Sequence, residues 1–389
     1  MEINYISPVN SLGYGVAGWN ILKHLGIMAE VAYFPIGTPE VENEADAEII
    51  RHYIDNQQLF NPDAPSLRIW HQHDMAMHVG RGKRTGFPIF ELDTFSHHEI
   101  HHLSQLDSIM VCSEWAKQVV LNHLPNMEVN VVPLGVDSSL FEATASQTWK
   151  DNRGCIGCEQ GLRLEYGAHW DDNNVKMVCI RTGESRPDTI FMNVGKWEVR
   201  KGHDILVKAF NKAFSKSDNV QLWMMNKNPF LNDNQERQWI GLYKNSKLGD
   251  KVNIIDRVET HKELANLMGF ADCGVFPSRG EGWNLELLEM MSCGKHVIAT
   301  NYSAHTEFCN EHNCHLIEIT STEKAKDGIW FNGQGNWARI GDGQIDQLVS
   351  IMRSVHQKKQ SGDVYNEDGR LTAEEFSWRS SAQKVLEGF

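Results

Sequence analysis

No apolar run in this chain approaches the length needed to cross a bilayer, so no transmembrane helix is expected. Nor is there an excess of basic charge. The formal net charge is −14, which argues against a protein whose main task is to coat nucleic acid or an anionic membrane. A basic, apolar leader is absent as well: Glu2 is followed at once by a strand-like run, so no signal peptide is expected. The eight cysteines are scattered and do not form a disulfide framework. Reduced thiols in a cytoplasm suit them better. The chain therefore reads as soluble and cytoplasmic, with peripheral membrane contact left open. Between strand ends there is no Asp-x-Asp that would hold a divalent ion.

What is present is enough chain for two α/β domains: 389 residues, 41% of them hydrophobic. The most informative segment runs from Pro277 to Thr300. Glu281 stands between Gly280 and Gly282, and Glu289 follows seven intervening residues later, inside a helical pattern. Asn284 is placed to cap that helix, which leaves the amides from Trp283 through Leu285 to Leu287 aimed at an anion such as a phosphate. Glu289 falls among Leu285, Leu288 and Cys293 on the face where helical spacing predicts core. A carboxylate there is costly unless polar groups meet it, and ribose hydroxyls would do so. The plainer reading is a surface helix with Glu289 in water.

Other strand-then-turn units repeat along the chain. Ile3–Ser7 leads into a glycine-rich stretch holding Gly13 and Gly15, where backbone can approach a ligand closely. Ser66–Trp70 ends in His71, Gln72, His73 and Asp74, at the strand end where open α/β sheets bind ligands. Phe87–Thr94 carries Glu91. In Thr189–Asp204, Lys196 and Lys201 flank a basic loop at a strand end, as suits a diphosphate, and Asp204 is placed to cap the next helix. His97, His98, His101 and His102 lie at helical spacing, but without a third ligand they read as a polar helix face. Arg81, Lys83 and Arg84 form a small basic loop that reads as solvated. From Asp137 to Pro187 runs an insertion with Cys155, Cys158, His169 and Cys179. One Cys-x-x-Cys without a second pair favours an irregular excursion over a structural zinc site.

Together, the Pro277–Thr300 segment and these units resemble the retaining family-4 glycosyltransferases, whose fold is GT-B. The resemblance covers most of the chain except the insertion. It implies two doubly wound Rossmann-like domains facing across a cleft: residues 1–137 on the acceptor side, the excursion 138–187, and residues 188–370 for a nucleotide sugar. A C-terminal helix in 371–389 would return to the first domain. By the same resemblance Glu281 meets the donor sugar and Glu289 the ribose. Lys196 stands where the family usually has Arg, and both lysines serve the diphosphate. Arg257 and Val258 lie along the base, and Ser303–Glu307 caps the donor's far side. Gly13 and Gly15 approach the transferring sugar or the acceptor, His73 sits near the anomeric carbon, and Glu91 stands on the acceptor side with Asp74 and His97 near it. The implied activity is hexosyl transfer (class EC 2.4) from a nucleotide-diphosphate sugar to an acceptor hydroxyl, retaining configuration and needing no cofactor or active-site metal. Saccharide, lipid-linked sugar and nucleic acid all stay open as acceptors, as does the oligomeric state. An epimerase or phosphorylase on this fold and a noncatalytic nucleotide-sugar binding module are the alternatives.

Overall fold

The computed structural model describes residues 1–141 and 188–389. The four candidate zinc ligands, Cys155, Cys158, His169 and Cys179, lie outside the described residues.

Two six-stranded parallel sheets organise the chain. The first contains β1 (Glu2–Ser7), β2 (Glu30–Pro35), β3 (Ser66–Ile69), β4 (Arg84–Phe87), β5 (Ser108–Val111) and β6 (Glu128–Val131), in the order 2-1-3-4-5-6. The second contains β7 (Thr189–Val194), β8 (Val220–Met225), β9 (Val252–Ile254), β10 (Cys273–Phe276), β11 (His296–Asn301) and β12 (His315–Glu318), in the order 12-11-10-7-8-9. These central strands are short, apolar and buried along their whole length, as Ile190–Val194 and Cys273–Phe276 show, because helices cover both faces of a parallel sheet. An antiparallel hairpin, β13 (Thr322–Lys326) and β14 (Asn332–Ala338), was not foreseen from sequence. Among the described residues, no helix is long and apolar enough to cross a membrane.

The loops that leave the strand C-termini meet each other across the molecule. Arg257, after β9, donates to the Ser11 carbonyl, after β1. Glu307, after β11, accepts from the Glu114 amide, after β5, at 2.9 Å. Gly280 and Gly282, after β10, lie so close to the backbone of Glu91 and Phe90, after β4, that a Cβ would stand 2.7 and 3.0 Å from those carbonyl oxygens. The two sheets therefore face one another by their carboxyl ends, where ligands bind in open α/β sheets.

The chain end closes one side of this arrangement. Two helices, Glu367–Glu375 and Trp378–Glu387, stand where the sequence suggests one, because the chain turns at Phe376 and Ser377. There the Val136 amide donates to the Phe376 carbonyl at 2.9 Å, and Ser381 Oγ donates to the Pro133 carbonyl at 2.7 Å. Trp378, Ala382 and Val385 join Ile21, Leu22 and Leu25 of helix Gly13–Met28 in an apolar core that continues through Trp283 and Phe308 to Met290. The halves are thus tied by apolar burial as well as by polar contacts.

Two local expectations are corrected here. Gly13 and Gly15 form the first turn of a helix and no separate loop. Gly15 is required by packing, since a Cβ would lie 2.3 Å from the Asn10 backbone nitrogen, whereas around Gly13 there is open space. Asp204 does not cap its helix. Gly202 holds the cap position with φ of 73°, and Asp204 instead accepts a two-pronged contact from Arg279 at 2.8 and 2.9 Å. Gly202 is also pressed against Pro277, whose carbonyl oxygen would lie 2.0 Å from an added Cβ. Gly202→Ala should therefore destabilise the protein by about 2–4 kcal/mol, from left-handed strain plus the clash. An unchanged urea midpoint would contradict this account of the β7 turn.

Candidate functional site

A buried guanidinium stands at the meeting point of the two sheets. Arg200 donates from Nη1 to Glu281 at 2.6 Å and to the Gly280 carbonyl at 2.8 Å. Its Nη2 lies 2.8 Å from Glu198 and 3.7 Å from Glu91 of the other half. Burial opposes a charge here, but Glu281, Glu198 and Glu91 together hold Arg200 protonated, with its pKa well above the ordinary value. Sequence reasoning passed over this residue. It stands directly before Lys201 in what reads as a solvated basic loop, and its acidic partner Glu281 is 81 residues away.

Around Arg200 the candidate residues separate into committed and available groups. Glu281 is buried and accepts from Arg200, from Lys201 Nζ at 3.2 Å and from Ser278 Oγ at 2.8 Å. Burial pushes its pKa up, yet Arg200 and then Lys201 outweigh that and hold it well below the carboxylate range. Lys201 is buried against Glu281, so its ammonium is engaged within the protein. Lys196 is more open, with about 35% of its side chain exposed; its Nζ lies 3.4 Å from Glu198 and 5.2 Å over the Phe230 ring. Glu91, about one-third exposed, has its pKa raised by desolvation against the pull of Arg200.

The helix after Glu281 is capped as the sequence suggests. Asn284 Oδ1 accepts from the Leu287 amide at 3.2 Å, which removes that amide from the set free for a ligand. Asn284 has φ of 92°, a left-handed conformation that Asn tolerates. Its Nδ2 donates to His305 Nε2 at 2.9 Å, and His305 Nδ1 lies 3.0 Å from the Thr300 carbonyl. Both contacts are met by a neutral ring protonated on Nδ1; burial lowers the His305 pKa in the same sense. The Ser303–Glu307 loop thus braces the helix start from below. Trp283 turns inward onto Phe308 and Phe376, at ring distances of 4.9 and 5.7 Å, so its side chain is core; only its backbone can face a ligand. Leu285 and Val258 are both part-buried against the same core.

Glu289 projects from this helix with 7% of its surface exposed. Its carboxylate has no hydrogen-bond or ion-pair partner among the described residues. Burial, with Glu286 nearby, pushes its pKa up to about 8. A cavity of about 580 Å³ opens after β8 and β9, lined by Lys227, Pro229, Asp256 and Arg257.

On the opposite wall, His71 packs its ring on Tyr14 and Trp70 at 4.6 and 4.9 Å. Its pKa falls to about 4 through burial, then through His73 and Lys196. His73 is exposed and stacks on His71 at 5.2 Å. Asp74 does not orient either ring: Arg68 takes its carboxylate at 2.8 Å. His97 is exposed at the start of helix His97–Leu103. Of the small basic loop, Arg81 and Lys83 are paired with Asp63 and Glu128. Among the described residues, no three His, Cys, Asp or Glu side chains converge as a metal site would require.

This geometry can be set beside known proteins. Residues 188–329 match the family model described as glycosyl transferases group 1. No curated protein matches the chain in sequence. Solved structures share its whole architecture. HepE of Anabaena, solved with UDP and glucose, superposes with a TM-score of 0.66 at 13% identity, over 100% of this chain and 98% of that one. Sucrose-phosphate synthase of Thermosynechococcus elongatus gives 0.64 at 15%, over 100% and 98%. The N-terminal domain of a Candida albicans trehalose-6-phosphate phosphatase gives 0.65 at 10%. The fold is GT-B, and residues 188–329 of its C-terminal half are the stretch that matches the group 1 glycosyltransferase model.

Glu289 supplies a test that needs no ligand. A carboxyl whose pKa rises on folding binds its proton more tightly in the folded state. Stability is then greatest below the unfolded pKa and falls as pH climbs toward about 8. Glu289→Gln should match wild type in thermal stability in acid and exceed it by about 2 kcal/mol or more near pH 8. Parallel stability curves for the two proteins would contradict the burial of an unpaired carboxyl.

Proposed function

We propose that the protein is a glycosyltransferase that moves a sugar from a nucleoside-diphosphate sugar to an acceptor hydroxyl. The observation that carries this reading is Glu289: a residue more than nine-tenths buried, its carboxylate without a partner among the described residues, on a helix whose capped start lies just past the Arg200–Glu281 cluster. Vicinal ribose hydroxyls are donors of the right number and spacing to satisfy it. The cavity beside Asp256 and Arg257 then takes the base. Lys196 and the amides at the helix start take the diphosphate, with Lys201 behind them. The family match over 188–329 and neighbours solved with UDP support the same assignment.

In this reading the charge that grows on the departing diphosphate is met by Lys196 and the helix start, without a metal. Glu281 acts first by holding Arg200 and Lys201, and through them the loop that meets the sugar. The acceptor enters from the first half, past Glu91 and His73, near the open first turn at Gly13. Among the described residues no side chain is poised as a nucleophile, which favours same-face replacement with retention. The bond from the anomeric carbon to phosphate breaks, the bond to the acceptor oxygen forms, and the acceptor proton passes to the leaving phosphate. Hexosyl specificity belongs to the same proposal.

UDP is the first nucleotide to test. Glu289→Ala should weaken its binding about tenfold or more, because ribose bonds to a carboxylate are charge-assisted. Lys196→Ala should cut turnover by about a hundredfold, and EDTA should leave activity intact. Equal nucleotide affinity in wild type and Glu289→Ala would defeat the ribose assignment; strict dependence on added Mg²⁺ or Mn²⁺ would defeat the metal-free route. His73→Ala should depress transfer and donor hydrolysis while donor affinity holds, with His71→Ala milder. The reverse ranking moves the reacting contact to His71.

A further inference from the structure

At the lip of the cleft the hairpin turn and the loop after β8 each place a large aromatic ring in water. Trp330 is 45% exposed and Phe230 55% exposed, and their rings meet at 6.2 Å, edge to face. Neither exposure comes from a loose segment. The turn that carries Trp330 is ordered around one carboxylate: Asp327 Oδ1 accepts from the amides of Ile329, Trp330 and Phe331 at 2.8, 2.8 and 2.9 Å. The Asp327 amide in turn donates to the Phe331 carbonyl at 3.0 Å, closing the turn. Both ends of the pair are tied to the site. Phe230 lies under the Lys196 ammonium, and β14 is fixed to the opposite half through Asn336, which donates to Asp93 at 2.8 Å, two residues beyond Glu91.

We infer that Trp330 and Phe230 form a subsite for a pyranose ring of a saccharide acceptor, outside the sugar that receives the transferred group. The inference rests on the glycosyltransferase reading above and narrows its acceptor to a carbohydrate. A pyranose presents a face of C–H groups and a rim of hydroxyls. The C–H face lies well on an aromatic ring, and the rim stays in water or meets the charged groups beside it. A rigid turn holding a Trp has already met the ordering cost that binding would otherwise incur. A lipid surface fits less well. Two rings flanked by Lys196 and Asp327 are too small an apolar patch for insertion, and a chain of net charge −14 is repelled by anionic headgroups.

The test uses the full chain with UDP bound and three trisaccharide probes: maltotriose, cellotriose and chitotriose. Saturation-transfer NMR should show ring protons of at least one probe in contact with the wild type. In Trp330→Ala the affinity should fall about tenfold, the scale of one aromatic contact, and Trp330→Phe should recover part of it. Phe230→Ala should show a similar loss. UDP affinity should be the same in the wild type and both Trp330 variants, since that ring is not assigned to the nucleotide, whereas Phe230 also packs under Lys196. Absence of saccharide contact in the wild type, or contact unaltered in Trp330→Ala, would overturn the subsite. So would Trp330-dependent binding of phosphatidylglycerol vesicles in place of a saccharide. A wild type that binds none of UDP, GDP and ADP would instead sink the glycosyltransferase reading, which keeps the two failures apart.

Discussion

The contact between Arg200 and Glu281 holds the site in place. It joins the turn after β7 to the turn after β10, and through Glu91 it reaches the other half of the molecule. A guanidinium this deeply buried is tolerable only when its donors are met, and Arg200 is met by Glu281, Glu198 and a backbone carbonyl. Such pairs add little net stability compared with apolar packing, but removing one partner leaves the other charge uncompensated. Their contribution is to specify one arrangement. The Gly280–Asn284 loop is pinned by Arg200 on one side and by His305 and Ser303 on the other. The helix start, and with it Glu289, inherits that position.

A second consequence concerns charge. Lys196, Arg200 and Lys201 face Glu91, Glu198 and Glu281, so three cations meet three acids. The cluster itself therefore offers little net field to an anion. What it offers is Lys196, the most open of the three cations, and a helix start whose orientation the buried charges fix. Acidic and basic residues are thus divided between building the site and serving a ligand. Glu289 stands apart as a buried acid with neither a cation nor a donor beside it among the described residues.

Much of this was legible in the sequence where local chemistry decides structure. The strand-turn units at Ile3–Ser7, Ser66–Ile69 and Thr189–Val194, the Asn284 cap and the inward placement of Glu289 all follow from apolar runs, glycine and short-range spacing. The parts that escaped depend on partners far apart in the chain. Arg200 looks like one more solvated cation until Glu281, Glu198 and Glu91 surround it. Asp204 looks like a cap until Arg279 takes it. Asp74 directly follows His73 in the chain, yet its carboxylate goes to Arg68. His305 gives no local sign that it will brace Asn284. The hairpin that carries Trp330 is polar and glycine-rich, so its strands lack the apolar alternation that marks such elements.

The central claim, that Glu289 waits for the ribose of a nucleoside diphosphate, predicts a proton. With its pKa near 8 the free carboxyl is largely protonated at neutral pH. Ribose hydroxyls that donate to it favour the ionised form, so binding should expel that proton. Calorimetric titration of UDP near neutral pH, in buffers of different ionisation enthalpy, measures the release directly. Comparison with Glu289→Gln removes the contribution of the nucleotide's own phosphate. The account predicts that wild type releases most of one proton more than Glu289→Gln for each UDP bound. Identical proton release by the two proteins, with UDP bound to both, would contradict it.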